Sequence, residues 1–289
     1  MFSKIAIGTA QFGLSYGVSN QNGQVSFNES KNIMTSAQRF GINTLDTAIL
    51  YGNSETVLGD IGVESWRVVT KIGQLSETDM EKQIHTELTN SLSRLKIKKL
   101  YALLLHRPEI LYSKYGSHLL DIFNKLKDSG IIEKFGISIY SPDELERIPK
   151  GLKLEIVQAP LNVLDRRLEI SGWLEKLKSG GCEIHVRSIF LQGLLLMTPL
   201  TRPKKFDLWK GLWKKWDQWL SESNLSALEA CIGFIKSFSN VDKFVIGIES
   251  ELQLNEIIQI MNSTKTINVP DHFSKNDEML IHPSNWNLL

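Results

Sequence analysis

Short apolar runs recur along the chain, separated by longer stretches in which apolar residues return every three or four positions. Eight runs stand out: KIAIG (4–8), INTLD (42–46), WRVVTK (66–71), LYALLLH (100–106), KFGISI (134–139), LEIVQ (154–158), EIHVRSI (183–189) and KFVIGI (243–248). Most are nearly continuous in apolar residues. That is the mark of parallel strands covered by helices rather than of half-wet antiparallel strands.

The intervening stretches carry helical period and end signals. Residues 76–96 place Ile84, Leu88, Leu92 and Leu95 on one face, with Ser76, Thr78 and Asp79 as candidate caps. Residues 117–130 end in Gly130, a natural left-handed stop. Residues 141–148 open with Ser141 at a cap position and Pro142 in the first turn, where a missing N–H does no harm.

Strand, helix, strand repeated along the chain means parallel pairing through right-handed crossovers. An open nucleotide-binding sheet would show a glycine-rich loop after an early strand. Here IGTAQFG holds Gly8 and Gly13 without GxGxxG, and GxxxxGK[ST] occurs nowhere. The expectation is therefore an α/β protein, a single-domain (β/α)8 TIM barrel over 1–289, with its active site at the C-terminal ends of the strands. Residues 266–289 lose the helical period and carry Pro270, Pro283 and Trp286. They are expected to form a C-terminal arm over the barrel.

Composition narrows the function. The 289 residues carry 33 basic against 32 acidic side chains, so no overall field draws the chain to nucleic acid or to an acidic membrane. Lys96, Lys98 and Lys99 read as a solvated helix end. Cys182 and Cys231 form no metal spacing and read as reduced packing residues. With no signal-like N-terminus and no run near the length of a membrane span, the expected location is the cytoplasm.

Four protic or ionisable side chains then fall at the ends of three successive strands: Asp46 and Tyr51, Lys71, and His106. In a barrel these ends meet at one mouth. A tyrosine is a poor acid at its ordinary pKa of about 10, but a neighbouring ammonium favours the phenolate, a role that Lys71 could fill. Asp46 would hold Lys71 charged, and a neutral His106 could orient a carbonyl oxygen that Tyr51 protonates. No serine or cysteine nucleophile and no zinc-like spacing accompanies the set, so the attacking group is expected from a cofactor. Hydride from a reduced nicotinamide fits.

At these residues the chain resembles the aldo/keto reductase superfamily. GTAQFG, LDTAILYGNSE, VVTK and LLLH are similar to that family's opening turn and its Asp, Tyr, Lys, His tetrad, and the likeness runs from about 4 to about 260. The resemblance implies reduction of an aldehyde or ketone by NADPH or NADH, with Asp46, Tyr51, Lys71 and His106 catalytic. It implies cofactor contacts at Gly8 and Thr9 after the first strand, Ser138 and Gln158 for the carboxamide, and Arg187, Ser188, Gly193 and Leu194 along the wall. Gly247, Glu249 and Gln253 would take the adenosine end. Arg187 replaces the family's usual aromatic ring against the nicotinamide, a place where a guanidinium can also stack. Glu249 and Gln253 stand where a base would grip a 2′-phosphate; the family implies NADPH, while a carboxylate there favours NADH.

FDLWKGLWKKWDQWL (206–220) puts Trp209, Trp213, Trp216 and Leu220 on one face. This reads as a helix packed on the barrel or, alternatively, as a wall for a sugar-derived carbonyl substrate, with Trp219 off the stripe. Glu55 reads as a cap of the helix beginning at Asn53 or, alternatively, as a pairing partner near the site, His85 and His185 as packing residues, and His118, His272 and His282 as surface polarity. Two other functions fit the fold: a nicotinamide-binding redox sensor with little turnover, and a Schiff-base aldolase using Lys71. The second would need a depressed lysine pKa, which Asp46 opposes.

Overall fold

The computed structural model describes residues 2–149 and 151–289. Eight parallel strands close a barrel in chain order: β1 (Ile5–Gly8), β2 (Thr44–Asp46), β3 (Arg67–Ile72), β4 (Leu100–Leu105), β5 (Ile132–Ser138), β6 (Ile156–Pro160), β7 (Glu183–Arg187) and β8 (Lys243–Gly247). Closure comes from β1 on β8, with Ile5 beside Phe244 and Gly8 beside Gly247. This is the (β/α)8 barrel that the alternation of strand and helix predicts.

Strand alternation divides the apolar residues between two cores. Leu103 and Leu105 join the main core under the surrounding helices, whereas Val69, Ala102, Leu104 and Ile156 form a small separate cluster. Polar groups flank that small cluster along the chain. Nearer the start of the strands, the Glu183 carboxylate accepts from Tyr101 and Lys134 at 2.5 Å and lies 2.8 Å from His185 Nε2. His185 is thereby accounted for without catalysis.

The helix Met80–Leu95 buries Ile84, Leu88 and Leu95 against the strands and stops on Lys96 in the left-handed region. Each such side chain adds about 1.5–3 kcal/mol relative to exposure. Gly116–Asp128 stops before Gly130, which has φ +73° as expected of a left-handed stop. The 141–148 stretch forms a helix only at Asp143–Glu146. The tryptophan stretch is a 3-10 turn, Lys204–Trp209, followed by the helix Lys210–Glu222.

Residues 266–289 run along the loops that follow β6 and β7. Lys275 N–H donates to Leu164 O at 2.7 Å, and Arg166 donates to the carbonyls of Val269 and Pro270. The Trp286 ring meets Phe206 edge-on at 4.9 Å. Both cysteines are buried and unpaired. Among the described residues no helix is long and apolar enough to cross a membrane.

Candidate active site

A cavity of about 450 Å³ opens at the C-terminal ends of the strands. Gly8, Thr9, Asp46, Tyr51, His106 and Gln158 line it from the ends of β1, β2, β4 and β6, and Arg187, Ser188, Gly193, Gly247, Glu249 and Gln253 from β7, β8 and the segments after them. Three expected site residues do not. Lys71 lies beneath the floor and Ser138 sits buried beside Gln158 in the β5–β6 ladder. Leu194 is fully buried in the main core, because the chain turns at Gly193 and carries the next side chain inward.

Asp46 organises the floor. Its Oδ2 accepts from Lys71 Nζ at 2.7 Å and its Oδ1 from Gln158 Nε2 at 2.6 Å, while Lys71 also donates to Thr47 O at 2.9 Å. The side chains of Lys71 and Asp46 are only 1% and 5% exposed. Burial lowers the lysine's hold on its proton, and Asp46 restores part of it. The loop carrying Tyr51 packs on the turn after β1. A Cβ at Gly13 would strike the Tyr51 carbonyl, so only glycine permits that approach.

Lys71 Nζ lies 5.2 Å from the centre of the Tyr51 ring. The expected effect on Tyr51 is reversed. Burial pushes its pKa well above the ordinary range, and the Asp46 charge adds to the rise. The cation that opposes the rise is Arg187. His106 meets the Tyr51 ring edge-on, 6.0 Å between centres. Burial, with Lys71 and Arg187, lowers the His106 pKa to about 3, so the imidazole is neutral; its Nδ1 has no partner.

Arg187 does sit over a ring, but the ring is Tyr140, with Cζ 4.4 Å from its centre, and its guanidinium donates to Ile139 O (3.0 Å) and Ser188 Oγ (3.3 Å). Tyr140 is stacked in turn on His282 at 4.1 Å. His282 therefore packs beside the site rather than serving as surface polarity. Pro283 and Ser284, from the same segment, line the cavity. At the end of β8, the Gln253 side-chain oxygen accepts from the Glu249 backbone N–H at 2.7 Å. The Glu249 carboxyl is half-buried, and burial raises its pKa.

Other contributors went unassigned in the sequence. Tyr16 is exposed at the mouth, lines the cavity and accepts from Gln192 Nε2 at 3.0 Å. Gln11 also lines it, and its Oε1 and that of Gln158 are buried without partners. Gln11 stood inside GTAQFG as a possible signal; for Tyr16 there was none. Packing decides between the two alternatives at Glu55 and at the tryptophans. Glu55 caps nothing: it is buried, accepting from Thr70, Ser91 and Arg94, since its partners come from β3 and the following helix. The tryptophans form no substrate wall: Trp213 and Trp216 are buried, with N–H groups on Phe206 O and Leu195 O, and Trp219 stacks on Trp216.

The aldo/keto reductase family model matches residues 4–275, and the chain belongs to that family. It is an NAD(P)H-dependent oxidoreductase, with carbonyl reduction as its general activity. The chain is 25% identical over 261 residues to the uncharacterized oxidoreductase YqkF of Bacillus subtilis (strain 168), covering 82% of this chain and 84% of that one. It is 27% identical over 219 residues to the NADH-specific methylglyoxal reductase of Escherichia coli (strain K12), covering 68% and 66%. Among solved structures, the holo form of an aldo-keto reductase from Bacillus halodurans superposes with a TM-score of 0.73 at 21% identity, covering 93% and 90%. That last likeness concerns the fold.

Proposed function

We propose that the chain reduces a small aldehyde or ketone with Tyr51 as the proton donor to the carbonyl oxygen. The observation that carries this reading is the convergence of Tyr51 and a neutral His106 on one cavity, above a buried Lys71–Asp46 pair. A nicotinamide, when bound in its reduced form, supplies hydride to the carbonyl carbon.

The chain's own groups handle the oxygen. A raised pKa keeps the proton on Tyr51 until an alkoxide, a stronger base than phenolate, develops beside it. His106, neutral at physiological pH, orients the same oxygen without competing as a charge. Lys71 and Asp46 hold fixed polarity under the tyrosine at no reorganisation cost. The unpartnered oxygens of Gln11 and Gln158 suit a group that brings N–H donors, as a carboxamide does. Ser188, Gly193 and Gly247 would line the remaining length, with Ser138 supporting Gln158 from the neighbouring strand.

Glu249 favours NADH over NADPH, because a carboxylate repels a 2′-phosphate and accepts from a free ribose hydroxyl. The relative from Escherichia coli is named as NADH-specific. Paired titration of NADH and NADPH by tryptophan fluorescence, followed by an aldehyde panel with the tighter cofactor, tests the proposal. Tighter NADPH binding would reverse the assignment of Glu249, and a panel without turnover would remove the reductase activity.

A further inference from the structure

Five arginines of this chain are half-buried or more: Arg94, Arg166, Arg167, Arg187 and Arg202. Four of them meet a carboxylate, Arg94 on Glu55, Arg166 on Asp271, Arg167 on Asp165 and Arg202 on Asp217. Arg187 meets none among the described residues. Its two hydrogen bonds go to a carbonyl and a hydroxyl, and a guanidinium has five N–H groups.

The surroundings leave that charge unbalanced. The charge acts on Tyr16, Tyr51, Lys71, His106 and His282, none of them a carboxylate. Asp46 is the nearby carboxylate, and it is taken by Lys71 and Gln158. Glu249, on the same cavity, is shifted by burial alone. The reacting end of the cavity therefore holds one net positive charge. A partly desolvated guanidinium without a counter-ion is costly, and an anionic ligand would remove that cost through charge-assisted bonds. Its contacts with Tyr140 and Ile139 hold it in place, so little side-chain freedom is lost on pairing.

We propose that the substrate is an oxo acid, a carbonyl compound that also carries a carboxylate, and that Arg187 receives the carboxylate while Tyr51 faces the carbonyl oxygen. The inference rests on the reductase reading and names its substrate class; the product is the corresponding hydroxy acid. A neutral aldehyde fits the same cavity but leaves the guanidinium unpaired.

The test compares glyoxylate and succinate semialdehyde with their methyl esters, using full-length protein and saturating cofactor. Each acid is expected to exceed its ester in kcat/KM by about 10- to 100-fold, the equivalent of a charge-assisted hydrogen bond, chiefly through KM. In Arg187→Met the acid preference is expected to disappear, and in Arg187→Lys to survive in part. Equal efficiency for acid and ester in the wild-type protein overturns the inference and leaves the reductase reading standing. Wild-type acid preference that persists in Arg187→Met also overturns it. No cofactor oxidation with either acids or esters overturns both.

Discussion

Gln158 donates its amide N–H to Asp46 Oδ1 at 2.6 Å, bridging strands whose residues lie 112 positions apart. With Lys71 on the other oxygen, both faces of the carboxylate are committed, and the three side chains form a closed buried set. The Gln158 carbonyl oxygen is left without a partner and is open to a ligand.

Replacing Asp46 by asparagine leaves the Lys71 ammonium buried without a counter-charge. The expected loss in unfolding free energy is about 3–5 kcal/mol, measured by urea denaturation. Adding Lys71→Met to that background removes the orphaned charge and is expected to recover most of the loss. A double variant no more stable than Asp46→Asn would show that the pair does not set the stability of the floor.

His106 sets a pH dependence with a definite sign. The unfolded chain protonates this histidine near 6.5, whereas the folded chain resists until about 3. The unfolded state therefore binds more protons between those values, and stability falls as pH drops from about 6.5 towards 3. Above 6.5 the residue contributes no slope. Urea midpoints for wild type and His106→Phe at several pH values should converge in slope above 6.5 and part below it; parallel curves throughout would contradict the depressed pKa.

Much of the barrel is legible in the sequence because a strand covered on both faces must be apolar at nearly every position. LYALLLH does this, with Leu103 and Leu105 serving the outer core and Ala102 and Leu104 the small separate one. A polar residue closing such a run marks a strand end, which is how Asp46, Lys71 and His106 could be seen. Contacts made by loops are different, because they depend on chain paths that no local pattern encodes. Tyr16, Tyr140 and Ser284 reach one cavity from three separate connections. Glu55 shows the same limit: in the first turn of a helix it looks like a cap until Arg94, thirty-nine positions on, folds against it.

At the far end of the cavity, Glu249→Arg exchanges a carboxylate for a donor. The NADPH-to-NADH affinity ratio is expected to rise about tenfold or more, the scale of one charge-assisted hydrogen bond. Fluorescence titration with each cofactor measures it. An unchanged ratio would place the 2′ position of the ribose away from Glu249.

Tyr51→Phe tests the proton donor most directly, in single-turnover oxidation of bound reduced cofactor by an aldehyde that the wild-type protein reduces. The phenylalanine keeps the ring beside His106 and above Lys71 and removes only the hydroxyl. The rate should fall by about 10²- to 10⁴-fold while cofactor affinity is retained. A variant that keeps most of the wild-type rate would contradict Tyr51 as the source of the proton.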